Sequence, residues 1–552
     1  MSPKYDLLIR GALIVDGTGQ PAYLGDVGIS GERIAWIGRL SSRGSDDGRW
    51  GDDGHGIVEA DQSSRVRVID AQGLVLSPGF VDIHGHSDYT LLIDHRAESK
   101  LRQGITTEVV GNCGYSAAPV FSPLLEERSR EYEKLYGLAL TWRSFPEYLK
   151  VVELSAPTLN YVFLIGHNTL RASAMGFSDQ EPSSQQMALM ESWLDEALAC
   201  GAFGLSSGLY YAPACFAKKD ELIRLASRVS RAGGILSCHI RNEGDRLLEA
   251  LEEILAIAKE SGVSLQISHL KTFGQKNWEK LDQALALIES ASSAGLKVSF
   301  DRYPYLAVQT SLQSLLPDWA QSGGSEAIVQ RLIDRSLRPK IAQQLLSALP
   351  DEKAASSILI SLLASKAHKA WEGLTLAQIA QCQGKSWIEA ALDLLHYERT
   401  DVEIIQFAMS NDNLVRILRH PLAMIGSDSS SRAADGPLRI GKPHPRAFGT
   451  FCRVLGEFCR ERKILPPEEA VRKMSALACQ KLGLQDRGLI KVGMMADLVL
   501  FDPAKIADQA TYQDPFHYPA GIRLVVINGR IALDENGTIH PGQGRILRMG
   551  EI

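Results

Sequence analysis

The chain has no run approaching ~18 consecutive apolar residues, so nothing in it reads as a transmembrane helix. It also lacks a basic excess. Its 59 Lys and Arg against 65 Asp and Glu leave a net charge of -6 and no cationic face for nucleic acid. Cysteine is sparse, 8 in 552 residues, which is far below the density of a disulfide scaffold. Those cysteines fall inside apolar segments, so reduced thiols in the cytoplasm are expected. The opening Met1-Ser2-Pro3-Lys4-Tyr5 enters a strand-like segment with no signal-peptide profile. These absences argue against a nucleic-acid binder, a transmembrane helix and a disulfide scaffold. What is present, 45% hydrophobic and 22% charged residues, is ordinary for a soluble globular protein. The length exceeds one small core and predicts a large α/β domain with at least one appendage.

Both ends carry short alternating strands with turns: Asp6 to Gly17 and Ile34 to Gly38 at the start, Gly493 to Asp502 and Leu524 to Arg530 at the finish. They are expected to form one small β-sandwich-like domain from residues 1–73 and 491–552. The stretch from Ser41 to Ser64, rich in Gly, Asp and Ser, reads as a loop. Between the ends, residues 74–490 alternate strand-like and helix-like runs. Strands are predicted at Leu74–Val81, Thr106–Gly111, Asn160–Gly166, Ala202–Ser206, Ile235–His239, Ser264–His269, Lys297–Phe300 and Ala423–Gly426. Helices are predicted at Ser184–Cys200, Lys219–Ala232, Glu243–Ser261 and Trp278–Ala294. Eight β/α units in series imply an α/β fold of the (β/α)₈ TIM barrel type, with a helical insertion over about 310–402.

The chemistry gathers where such a barrel places it, at the C-terminal strand ends. The first strand ends in His84-Gly85-His86, whose i, i+2 spacing aims both imidazoles at one spot. The second ends in Gly111-Asn112-Cys113-Gly114, the fifth in His239, the sixth in His269-Leu270-Lys271 and the last in Gly426-Ser427-Asp428. Taken singly, Cys113 reads as a small buried hydrophobe, His239 or His269 as a core histidine, and Asp428 as a turn residue. Their coincidence at the same end of five strands is what points to a metal site. His55, His95, His368, His396, His420, His517 and His540 lie off those ends and read as surface or packing residues. His167, in Gly166-His167-Asn168, sits at a strand end without an assignable role.

These stretches, together with Gly204-Leu205-Ser206-Ser207-Gly208-Leu209 and His444-Pro445-Arg446-Ala447-Phe448-Gly449-Thr450-Phe451, run in order over nearly the whole chain. In that order the chain resembles the amidohydrolase superfamily and, through Cys113 and the His-Pro-Arg segment, its D-aminoacylase (N-acyl-D-amino-acid deacylase) branch. Hydantoinases and dihydroorotases use a carbamylated lysine at the fourth strand. Here that strand ends Ser206-Ser207-Gly208 with no lysine, and Cys113 is the candidate replacement.

The resemblance implies zinc-dependent hydrolysis of N-acyl-D-amino acids to a carboxylate and a free D-amino acid. Cys113, His239 and His269 would hold a tight Zn2+, with His84, His86 and Asp428 at a second, weaker position that shares Cys113. Zinc brings the pKa of bound water towards ~7, generating hydroxide at neutral pH, and Asp428 would act as general base and acid. By the same resemblance Lys271, Tyr303 and Arg446 would grip the substrate carboxylate. The loop from Ser429 to Pro443 departs from the family pattern and adds Arg432 and Arg439, which read as solvated charges unless they favour an acidic side chain. The remaining alternatives are another C–N hydrolase, such as a cyclic amidase or dipeptidase, and a non-catalytic scaffold. The expected partner is a small N-acyl amino acid, with neither nucleic acid nor membrane.

Overall fold

In the computed structural model, which describes residues 5–44, 49–52, 56–59 and 66–551, eight strand positions run parallel through the middle of the chain. They are β1 (Phe80–Asp82), β2 (Ile105–Val110), β3 (Asn160–Phe163, resuming at Ile165–Gly166), β4 (Gly204–Gly208), β5 (Ile235–His239), β6 (Ser264–Ile267), β7 (Val298–Arg302) and β8 (Ala423–Ile425). Each pairs in parallel with the next, for example Val81 with Thr107, Ser206 with Ser237, and Arg302 with Ile425. The ends of β1 and β8 also meet. Asp428 N donates to His84 O at 2.7 Å, and His86 N donates to Ser429 O at 3.1 Å. Nearly every residue of these strands is buried, because helices cover the parallel layer.

Those helices follow from 3.6-residue periodicity. In Lys219–Ala232, Leu222, Leu225, Ala226 and Val229 are the buried stripe. Asp220 and Glu221 occupy the first turn, Arg231 the last, and Gly233 closes the helix at φ 79°. Ser183 and Gln186 form a reciprocal cap at the start of Ser184–Ala199. The predicted helix from Trp278 instead opens with a 3₁₀ segment, Gln275–Lys280, before Leu281–Ser293. No helix among the described residues is long and apolar enough to cross a membrane.

The expected first strand Leu74–Val81 is two strands. Val75–Pro78 belongs to a sheet made by the chain ends, pairing with Leu13–Ile14 and with Leu498–Phe501. The break falls at Gly79, where an added Cβ would lie 2.2 Å from Thr106 Oγ1, so only glycine lets the chain pass from one sheet to the other. That end sheet runs Arg530–Leu533, Ile522–Ile527, Leu498–Phe501, Val75–Pro78, Leu7–Ile14, Tyr23–Ser30, Arg33–Gly38, with Arg67–Asp70 added beside Leu7–Ile14. Continuous hydrophobicity cannot reveal where one sheet hands the chain to another.

Two further expectations are corrected. The stretch 41–64, read as loop, contains parts of three antiparallel strands, Leu40–Gly44, Arg49–Asp52 and Gly56–Glu59. Trp50, Ile57 and Val58 are β-formers hidden in polar composition. The rest of that stretch, His55 included, lies outside the described residues. The insertion, read as helical, holds an antiparallel sheet of Ala307–Ser311, Val402–Phe407 and Ile358–Leu363 under its helices. It buries its own core, with Leu332, Ile341, Ile360, Leu392 and Ile404 at its centre. Ile358–Leu363 is a short apolar run of the kind that periodicity cannot assign to strand or helix.

Candidate metal centre

Asp82 is the last residue of β1, and the chain beyond it carries His84 and His86 past the sheet edge. His84 is fully buried. Its Nδ1 lies 3.2 Å from Asp301 Oδ2, while its Nε2 lies 3.3 Å from Cys113 Sγ and 3.6 Å from Asp428 Oδ1. His86 Nε2 is 3.0 Å from the same Asp428 oxygen. Cys113 sits in a tight turn after β2. The Ser206 hydroxyl pins that turn by donating to Gly111 O and accepting from Gly114 N at 2.9 Å. His269 follows β6, with its Nε2 3.4 Å from Cys113 Sγ.

Three of these residues have left-handed backbone: Cys113 at φ 51°, His269 at φ 35° and Asp428 at φ 49°. A non-glycine residue there costs roughly 1–3 kcal/mol and persists only when its surroundings over-determine it.

The residues fit a metal. His84, Cys113, His269 and Asp428 offer four donor atoms all within 4.8 Å of one another. Around tetrahedral zinc, with ligand bonds of about 2.0–2.3 Å, donors stand roughly 3.3–3.6 Å apart. The observed contacts to Cys113, 3.3 and 3.4 Å, match that spacing. His239 is buried, and neither of its ring nitrogens has a hydrogen-bond partner. An imidazole left that way costs free energy unless another electron-pair acceptor takes it up.

The electrostatics agree. Burial opposes a thiolate at Cys113, but the charges of His84 and His269 outweigh it and hold the thiol well below its ordinary range. Asp428 is likewise held well below the usual carboxylate range, where Arg446, His269 and His86 outweigh burial. Burial pushes His239 down, towards the neutral form that a ligand needs.

The expected donors fall into two overlapping groups of closely spaced atoms, with His269 in both. Cys113 and His269 stand with His84 and Asp428, and a second cluster joins His239 and His269 to Glu243. His86 reaches the first cluster through Asp428. Glu243 was hidden in the expected helix Glu243–Ser261. That helix starts at Leu247, which leaves Glu243 in a loop with its Oε1 3.0 Å from His269 Nδ1 and its Oε2 3.7 Å from His239 Nε2. The spacing His239-x-x-x-Glu243 was the available signal. Asp301 was also missed, because the predicted strand stopped at Phe300. The observed β7 runs to Arg302, and Asp301 accepts from Gln266 at 2.7 Å and from His269 N at 2.9 Å while facing His84. A carboxylate behind a ligating imidazole fixes its tautomer and orientation.

His167 is not part of this centre. Its nitrogens face Ser207 Oγ at 2.9 Å and Glu221 Oε1 at 2.8 Å, and Glu221 also holds the buried Arg171.

The centre opens into a cavity of about 1290 Å³ lined by His86, Cys113, His239, His269 and Asp428, and also by Lys271, Tyr303 and Arg446. Arg446 donates through one terminal nitrogen to Asp428 Oδ2 at 2.7 Å, and its guanidinium lies 4.6 Å over the Tyr303 ring. Arg446 Nε and the Tyr303 hydroxyl are buried without partners. Lys271, by contrast, is engaged, bonded to Glu243 and 2.8 Å from His269 Nδ1. Arg432, expected to be solvated, is buried on the cavity wall, while Arg439 is exposed over the Phe516 ring. Truncating a buried charged anchor costs about 2–5 kcal/mol. On the sequence expectation that Arg446 grips a ligand carboxylate in this cavity, Arg446→Ala should lower kcat/KM by about 10²–10³-fold with zinc content unchanged, as read by steady-state kinetics beside metal analysis.

The sequence profile of the amidohydrolase family matches residues 67–354 and 363–533. N-acyl-D-glutamate deacylase of Alcaligenes xylosoxydans xylosoxydans is 36% identical, covering 99% of this chain and 97% of its own. D-aminoacylase of the same organism is 34% identical over 99% and 98%. The crystal structure of N-acyl-D-glutamate deacylase from Bordetella bronchiseptica, complexed with zinc and a phosphonate mimic of the tetrahedral intermediate, is similar with a TM-score of 0.81. It is 32% identical and covers 99% of this chain and 100% of that one.

Proposed function

Since the chain belongs to the amidohydrolase family, we propose that it is a zinc-dependent N-acyl-D-amino-acid deacylase. The observation that carries this reading is the Cys113 thiol, set 3.3 and 3.4 Å from the imidazoles of His84 and His269 beside an ionised Asp428. We read Cys113, His239 and His269 as the tight zinc ligands, with His84, His86 and Asp428 facing a second position across the shared thiolate. The eight parallel strands are read as a closed (β/α)₈ barrel, supported by the hydrogen bonds between the ends of β1 and β8. The end sheet is read as a separate small domain, with its boundary near Gly79. Eight free cysteines favour a reducing compartment such as the cytoplasm.

Zinc, when bound, supplies Lewis acidity that polarises the amide carbonyl and makes water nucleophilic at neutral pH. The chain's own residues do the rest. Tyr303 Oη and Arg446 Nε, both without partners, offer donors to the substrate's α-carboxylate. Arg446 has donors to spare, because one terminal nitrogen engages Asp428 while Nε stays free. Asp428 takes the proton of the attacking water and passes it to the departing amine nitrogen as the C–N bond breaks. Asp301 and Glu243 hold His84 and His269 in place from behind.

The test is hydrolysis of N-acetyl-D- and N-acetyl-L-methionine and glutamate, set beside hydantoins and dipeptides. Turnover of D substrates with at least ~10²-fold preference over L is the expected result, a discrimination of about 3 kcal/mol. Turnover of hydantoins or dipeptides instead would move the assignment to another C–N hydrolase, and no turnover at all would leave a binding scaffold.

A further inference from the structure

Lys100 is completely buried in the short helix Glu98–Leu101, at the seam where β1, β2 and β8 come together. Its ammonium reaches Asp82 Oδ2 at 2.7 Å, Glu108 Oε1 at 3.1 Å, Ser427 Oγ at 2.8 Å and Ser429 O at 2.8 Å. The last two acceptors flank Asp428. Asp82 in turn accepts from Ser427 N at 2.8 Å and from the Ser427 hydroxyl at 2.6 Å. Ser99, the residue before Lys100 in the same helix, donates from its N to Arg432 O at 3.1 Å and accepts through its hydroxyl from Arg432 N at 2.9 Å. The segment bearing Asp428 is thus held on both sides by one turn of helix.

We propose that Lys100 is the positioning residue for Asp428, a clamp that keeps this strained residue aimed at both the metal centre and Arg446. The inference rests on the reading of Asp428 as the proton-transfer group. Lys100 is buried and takes no part in lining the cavity, so it touches no substrate. It acts by anchoring the residues before and after Asp428, through the Ser427 hydroxyl and the Ser429 carbonyl, so that the φ of 49° at Asp428 is held between two fixed points. Asp428 must present Oδ1 to His86 at 3.0 Å and Oδ2 to Arg446 at 2.7 Å together. A relaxed backbone loses that double placement, and a shift of about 1 Å at a reacting group can cost 10²-fold in rate. An ion pair serving the fold alone would be complete with Asp82 and Glu108. The bonds to Ser427 and Ser429 are what tie it to Asp428.

The experiment compares Lys100→Met, Ser427→Ala and Asp428→Asn in the zinc-loaded full-length protein, measuring kcat, KM, zinc affinity and Tm. Lys100→Met is expected to lower kcat by about 10²-fold with KM and zinc affinity within about threefold. It also leaves Asp82 without its cation and can fail to fold. Ser427→Ala keeps the ion pair and removes one arm of the clamp, and is expected to lower kcat about tenfold with Tm little changed. The proposal is overturned if a folded Lys100→Met or Ser427→Ala keeps wild-type kcat. It is equally overturned if kcat, KM and zinc affinity all worsen together as Tm falls, which marks a purely structural lysine. If Asp428→Asn itself retains full kcat, the fault lies in the role given to Asp428, and the clamp falls with it.

Discussion

Cys113→Ala is expected to abolish both zinc retention and turnover while leaving the fold intact. The thiol is the one sulfur donor in the cluster and touches the imidazoles on both sides. Without it, His84 and His269 lose the sulfur that both contact, and on the proposed reading two metal positions lose a ligand at once. Removing a residue that merely supports a ligand costs 10–100-fold in metal affinity, so loss of a shared ligand should exceed about 10³-fold. Zinc content should drop from about one ion per chain towards none, and kcat/KM by about 10⁴-fold or more. Replacing Cys by Ala removes only one buried sulfur atom, so Tm of the metal-free protein should move by no more than a few degrees. Mass-spectrometric metal analysis, kinetics and thermal unfolding of the same preparations decide the matter. A variant that keeps zinc and activity would mean that Cys113 is just a buried apolar residue.

Asp428→Asn probes the proton path instead of the metal. The amide has nearly the same shape but can neither take a proton from water nor balance the Arg446 guanidinium 2.7 Å away. General acid–base groups contribute about 10²–10⁴-fold, and Asp428 is assigned both halves of the transfer, so kcat should fall by about 10³-fold or more. Cys113, His239 and His269 remain in place, so about one zinc should be retained. Loss of rate with retained zinc separates this variant from Cys113→Ala. Equal loss of both would instead make Asp428 chiefly a ligand.

Much of this centre was legible along the chain. The H-x-H of His84 and His86, the cysteine turn after β2, His269 after β6 and Asp428 after β8 each stand at the end of an apolar run, and strand periodicity says where such a run delivers its next side chain. Glu243 and Asp301 were not legible as working residues, since one was absorbed into a helical pattern and the other placed one residue beyond a predicted strand. Both errors are shifts of a few residues at element ends. Helix starts depend on local capping, and strand ends on pairing with a neighbour, so neither is written into periodicity alone.

The sequence by itself determined the donor chemistry: which strand ends carry imidazole, thiol and carboxylate, and the β/α alternation that sends them to one face. Only the tertiary structure decided how the donors group around Cys113, where Gly79 divides two sheets, and that Lys100 reaches Ser427 across a separation of 327 residues. Hydrophobic period and turn chemistry act over a few neighbours along the chain. A buried ammonium finds its acceptors through space, and which carboxylate and carbonyl lie within 3 Å of it is settled when the first and last parallel strands come together.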